Sequence, residues 1–136
     1  MPPHHEVVAA IIEHENQFLC LQRGPSKYAY IAHKWEFPGG KVEAGETQEE
    51  ALVREIQEEL DLAIQVERSL LTVHHAYPDF AITMHGLLCT VPNSQTPTLH
   101  EHVAYVWLPR EQLHTLNWAA ADLPLVANLQ ANVPPR

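Results

Sequence analysis

The stretch GKVEAGETQEEALVREIQEELDL, from Gly40 to Leu62, decides the reading of this chain. Thr47 followed three residues later by Glu50 has the form of a capping box. Leu52, Val53, Ile56 and Leu60 fall within an apolar arc of about 100°. Together these predict a helix over Glu46 to Leu60, ended by Asp61. On it Glu55, Glu58 and Glu59 stand at i, i+3 and i+4 and project from one side, where like-charge i,i+4 neighbours cost about 0.2–0.5 kcal/mol each. The trio is centred about 120° from the apolar stripe, so it borders the core. Nine of the 17 acidic residues lie between Glu36 and Asp61, with only Lys41 and Arg54 as counter-charges. A divalent cation would offset that crowding. Oxygen-only donors select hard ions, and Mg²⁺ in particular takes a few carboxylates and leaves its other positions to water and phosphate oxygens. The alternative is a solvated acidic helix face.

Outward from the helix, Glu6 to Glu13 and Gln17 to Arg23 read as a strand hairpin about His14-Glu15-Asn16. Gly24 to Lys34 reads as a loop, and Trp35 to Phe37 as a short strand stopped by Pro38-Gly39-Gly40. Beyond the helix, Ser69 to Ala76 and Phe80 to Val91 form a second hairpin pattern, and Val103 to Leu108 a further strand. Two short helices close the chain, one after Pro109 as an N1-type position and one from about Asp122 to Gln130. Strands before, between and after helices point to a mixed α/β sandwich. Pro-rich pieces mark one loop, Pro92 to Pro97, and the termini at Pro2-Pro3 and Pro134-Pro135.

At 136 residues the expectation is one domain, 1–136. A formal charge of −9 leaves no basic footprint for bulk DNA or RNA, so a nucleic-acid role should involve small nucleotides or metal-bridged phosphate. The longest apolar run, Val7 to Ile12, is far short of a membrane span, and the opening residues lack a basic flank for a signal peptide, so a cytoplasmic protein is expected. Cys20 and Cys89 lie in apolar stretches without metal or redox spacing and read as reduced, buried thiols. The histidine pairs His74-His75 and His100-Glu101-His102 read as polar strand and loop positions, since neither shows a zinc spacing.

The quoted stretch resembles the Nudix box, G-x5-E-x7-R-E-U-x-E-E-x-G-U with U a bulky aliphatic. Gly40, Glu46, Arg54, Glu55, Ile56, Glu58, Glu59 and Leu62 match it. Asp61 stands where the pattern has its last glycine; Asp tolerates a left-handed cap, so a small stability penalty and intact chemistry are expected. The run Trp35 to Lys41 is similar to the segment before the box in the MutT-like branch. This resemblance implies a Nudix-type α/β/α sandwich with a mixed sheet. It also implies a hydrolase cleaving nucleoside triphosphates, oxidised or modified ones such as 8-oxo-dGTP included, to the monophosphate and pyrophosphate. Glu55, Glu58 and Glu59, with the Gly39 carbonyl, would hold Mg²⁺ or Mn²⁺; Glu55 or Glu101 would act as the base, and Arg54 would orient the glutamates. Other nucleoside diphosphate derivatives, or a non-catalytic nucleotide-binding domain, are the alternatives. A monomer or a homodimer is expected.

At the substrate the resemblance places Arg23 and the loop Phe37, Pro38, Gly39 and Gly40. Phe37 is either a base-stacking ring or core packing. Asp122 falls roughly where MutT-like enzymes set a base-reading Asn or Asp. An ionised Asp only accepts hydrogen bonds, which suits an exocyclic amino group such as that of cytosine or a protonated edge of a modified purine. The competing reading of Asp122 is a helix N-cap.

Overall fold

The computed structural model describes residues 3–93 and 95–132. Pro2, Pro134 and Pro135 lie outside them. The apolar run Val7 to Ile12 lies in the long strand β1 (His4–His14), and β2 (Gln17–Gln22) returns beside it. Two very short strands follow, β3 (Trp35–Glu36) and β4 (Gly39–Lys41). Helix α1 (Gln48–Leu60) leads to the long hairpin β5 (Gln65–Ala76) and β6 (Ala81–Thr90), and β7 (Ala104–Pro109) precedes the C-terminal helix α2 (Leu123–Ala131). The sheet path is β3-β2-β1-β6-β5, with β4 added to β1 and β7 to β2. Among the described strands, β1 and β6 are the one parallel pair, through ten paired residues from His4↔Ala81 to Glu13↔Thr90. This is the expected mixed α/β sandwich.

Alternation along β1 and β2 divides the core in two, because successive side chains of a strand face opposite ways. Val8, Ala10, Ile12, Leu19 and Leu21 pack under Leu52, Ile56 and Leu60 of α1. Ala9, Ile11, Phe18 and Cys20 face Leu113, Trp118, Leu125 and Leu129 on the other side. A strand covered on both faces reads as a continuous apolar run, as β1 does. Each such aliphatic side chain contributes about 1.5–3 kcal/mol by leaving water. Cys20 and Cys89 are free and buried, one in each layer. Among the described residues no helix is long and apolar enough to cross a membrane.

Helix α1 carries the capping box: Glu50 N–H donates to Thr47 Oγ1 at 3.1 Å and Thr47 N–H to Glu50 Oε1 at 2.9 Å. Asp61 ends it in the left-handed region at φ 54°. Several expectations need correction. Val53 is 40% exposed, and the small Ala51 fills the buried face instead. Pro38-Gly39-Gly40 does not end the sheet, since Gly39–Lys41 pairs antiparallel with Val7 to Ala9. Without side chains, the glycines let this backbone lie close to its neighbours. Strand β5 starts at Gln65, four residues early, and two bulges break the alternation that would have marked it. Pro109 is an N-cap rather than N1, and the helix after it, Arg110–Thr115, is 3₁₀. Asp122 closes a 3₁₀ turn, Ala120–Asp122, so α2 starts one residue later than read.

The layer under α2 leaves no spare volume at β6. A Cβ added to Gly86 would lie 2.5 Å from Leu125 Cδ2. Gly86→Ala should therefore destabilise the protein by about 1–3 kcal/mol through overpacking, read as a lower denaturation midpoint at unchanged slope.

Candidate active site

Arg54 organises the first half of the site. Its Nε and Nη2 form a two-pronged fork on Glu46, at 2.6 and 2.9 Å. Nη1 reaches Glu55 at 2.9 Å and Glu58 at 3.3 Å, and Nη2 also donates to the Lys41 carbonyl at 3.2 Å. The guanidinium thus ties the loop after β4 to α1. Glu46 also caps the loop by accepting from Glu43 N–H at 2.9 Å. Hydrogen bonding from Arg54 holds the Glu46 carboxyl down at about 2, while Glu46 and Glu55 keep Arg54 still more firmly charged. Gly40 is needed here for close approach, because a Cβ on it would collide with the Glu55 carboxylate.

Glu59 is the carboxylate that this network leaves out. Its Oε2 is buried and has no hydrogen-bond partner among the described residues. Burial first, and then the charges of Glu55, Glu101 and Glu36, push its carboxyl up to about 8. A buried acid with unmet acceptors among like charges is the environment that a cation relieves. The donors fit a divalent ion in another respect, being oxygen only. Among the described residues no three Asp, Glu, His or Cys side chains close around one point. A hard ion that keeps waters and substrate oxygens in its shell needs only one or two protein carboxylates. Glu55 and Glu59, together with Glu101 and the loop residues Gly39 and Gly40, line one cavity of about 1050 Å³. Glu58 is largely exposed and turned to Arg54.

The same cavity reaches Arg23 and Asp122. Asp122 arrives there because the chain just before its 3₁₀ turn is stitched to β3: Trp35 N–H donates to Asn117 O and Ala119 N–H to Trp35 O, both at 2.9 Å. Its Oδ2 accepts from Phe37 N–H at 2.9 Å. Asp122 does hold the N-cap position of α2, but its side chain makes no cap bond there and is turned to Phe37 instead. Burial, then the nearby Glu36 charge, raises the Asp122 carboxyl well above the usual carboxylate range. Phe37 packs into the core, 3% exposed with its ring 4.7 Å from that of Trp118, and also lines the cavity. Pro38 gives its carbonyl to Ala10 N–H at 2.7 Å. Arg23 Nη1 lies 3.4 Å from Glu36 Oε1.

Several residues of the cavity escaped the sequence reading. Glu36 touches both Arg23 and His102, the latter at 2.8 Å, and its charge bears on Glu59 and Asp122 alike. No spacing rule flags it, since Arg23, Glu36 and His102 are joined only by the sheet. An aromatic wall made of Tyr28, Tyr77 and Phe80 brings the loop after β2 against the β5–β6 turn, and Tyr30 Oη donates to Asp79 Oδ2 at 2.7 Å.

With this geometry, similarity to known proteins becomes specific. The NUDIX domain profile matches residues 3–129, and the chain belongs to this family. It is 39% identical over 127 residues to the CTP pyrophosphohydrolase of Escherichia coli (strain K12), covering 93% of this chain and 91% of the relative. It is 32% identical over 125 residues to the 8-oxo-dGTP diphosphatase of the same organism, covering 92% and 95%. Among solved structures, that of the E. coli ORF135 protein superposes with a TM-score of 0.80 at 38% identity over 96% of this chain and 91% of that one. The MutT protein of methicillin-resistant Staphylococcus aureus 252 gives 0.74 at 40%, over 96% and 98%. The expected family, its MutT-like branch and the hydrolase class are thereby established.

The Arg54 fork makes a measurable claim. A carbon-detected NMR titration should place Glu46 near 2 in the intact protein and well above that in Arg54→Met, short of the ordinary value because Glu43 N–H still donates to it. Because the folded value lies below the ordinary one, the stability this pair contributes is fully present above about pH 4.5 and is lost as the pH falls toward 2.

Proposed function

We propose that the protein is a divalent-metal-dependent nucleoside triphosphate pyrophosphohydrolase that acts on oxidised or modified nucleotides, 8-oxo-dGTP among them, and so clears the nucleotide pool. The observation that carries the reading is the unpartnered, buried Glu59 Oε2 beside a cavity wide enough for a nucleotide. The names of two similar proteins, a CTP pyrophosphohydrolase and an 8-oxo-dGTP diphosphatase, support the substrate class. A cytoplasmic place among free nucleotides accords with the two free thiols.

Glu59, Glu55 and the Gly39 carbonyl would hold Mg²⁺, or Mn²⁺ in its stead, with Glu58 at the margin. When bound, the ion neutralises charge on the phosphates and makes a bound water more acidic. Glu55, paired with the Arg54 guanidinium 2.9 Å away, or Glu101 accepts the proton of the attacking water. Arg23 contributes positive charge to the same cavity. Pyrophosphate leaves, and the monophosphate stays bound through its base.

Asp122 reads that base. With Oδ2 held by Phe37 N–H, the other oxygen faces no protein partner among the described residues. Its raised pKa lets the carboxyl keep a proton where an ordinary Asp has lost it, so it donates to a base carbonyl as well as accepting from an amino group. This widens the earlier acceptor-only expectation. Cytosine nucleotides remain the second reading, favoured by the acceptor form of Asp122.

Pyrophosphate and orthophosphate release from a panel of normal and oxidised triphosphates, ADP-ribose and a dinucleoside polyphosphate, with and without Mg²⁺, tests the reading. Pyrophosphate from triphosphates only with metal is expected. Turnover of ADP-ribose alone would discard the substrate, and silence throughout would favour a binding domain. Glu59→Gln should lower kcat by about 10²-fold or more while raising the melting temperature of the metal-free protein at pH 8, where ionising the buried carboxyl opposes folding. Asp122→Ala should reorder the ranking among bases; a uniform fall across the panel would count against base reading by this residue.

A further inference from the structure

Glu101 lies in the irregular segment between β6 and β7, so no ladder of its own fixes the side chain over the cavity. The backbone is fastened on either side of it. Thr98 N–H donates to Leu60 O at the end of α1 at 2.9 Å, and Val103 N–H to Gln22 O at 3.0 Å. Between these points the two neighbours of Glu101 are histidines, and each meets a carboxylate. His100 Nε2 lies 3.0 Å from Asp61 Oδ2, and His102 Nε2 lies 2.8 Å from Glu36 Oε2. An ionised carboxylate only accepts, so both rings donate through Nε2.

The two anchors belong to different parts of the site. Asp61 is the left-handed C-cap of α1, two residues past Glu59. Glu36 lies on β3, held from its other oxygen by Arg23. Asp61 occupies the place where the Nudix pattern has glycine. A glycine would make the same turn without strain but would offer His100 no acceptor. In this chain the departure therefore does more than cost a little stability.

Resting on the activity proposed above, we infer that His100–Asp61 and His102–Glu36 form a bracket that sets Glu101 against the glutamates of α1, making these four residues positioning residues for the hydrolysis. The His102 arm is the firmer, with a ring only 8% exposed, whereas both members of the His100 arm are half-exposed. The influence of Glu101 on the Glu59 carboxyl agrees with the two acids being held near each other. A misplacement of about 1 Å in such a group costs up to about 10²-fold in rate.

The test uses the full chain and the best triphosphate of the panel. Asp61→Gly should keep or raise the melting midpoint while lowering kcat about 3- to 10-fold at little-changed KM. His102→Ala should lower kcat by about 10-fold or more, and His102→Gln, which returns an N–H donor at nearly the same place, should recover much of it. Amide hydrogen exchange in segment 97–103 should quicken in Asp61→Gly and His102→Ala. In a Glu101→Gln background neither substitution should lower kcat further. Equal losses with and without Glu101, or losses that follow the melting midpoint and resist the Gln rescue, would overturn the bracket. So would unchanged kcat in the variants of an active enzyme. A wild-type protein inactive on every nucleotide would instead overturn the activity on which the bracket rests.

Discussion

A single guanidinium is the constraint around which this molecule is arranged. The segment from Glu36 to Asp61 concentrates nine acids against two cations, and such a chain would not hold a tight loop and helix together unaided. Arg54 supplies the missing charge and the geometry at once, because its planar fork takes Glu46 at two points and still reaches Glu55, Glu58 and the Lys41 carbonyl. Separate exposed ion pairs contribute about 0–1 kcal/mol each; the fork matters because it fixes the loop against α1. It also sorts the acids. Those within its reach are satisfied by protein, and Glu59, out of reach, is left with an unmet oxygen at the cavity.

The two layers of the core then support different sides of the cavity. The layer under α1 holds the helix that carries the glutamates. The layer on the opposite face of β1 and β2 holds Phe37, Trp118 and Ala121, and through them the turn that carries Asp122. Both layers share the same strands, so the α1 glutamates and Asp122 are referred to one rigid sheet. Glu36, on the shortest strand of that sheet, is where the two meet electrostatically.

How far the sequence could be read depended on the range of the forces involved. Helix α1 was legible to within two residues because its signals are local: the Thr47–Glu50 box, an apolar face, and a residue able to turn left-handed at Asp61. The pairing of Arg54 with the glutamates was legible for the same reason, since the motif and the network occupy one stretch. Where pairing partners are distant, the reading failed. Gly39–Lys41 looks like a chain-breaker in isolation and becomes a strand only because β1 lies beside it. Strand β5 hid its start behind two bulges. Asp122 has the composition of a cap, and its carboxylate turned to Phe37, 85 residues earlier, through contacts that no local pattern announces. Glu36 and His102 were missed on the same grounds.

The placement of the two thiols has a bearing on where such a protein can work. Cys20 and Cys89 lie in separate layers with the sheet between them, and burial pushes both up to about 12. The thiolate is the form that peroxides attack. Both sulfurs are thus kept protonated and out of contact with solvent, and neither can reach the other to form a disulfide. A protein whose cysteines are held in this way can work among oxidants, because neither thiol offers them anything to react with.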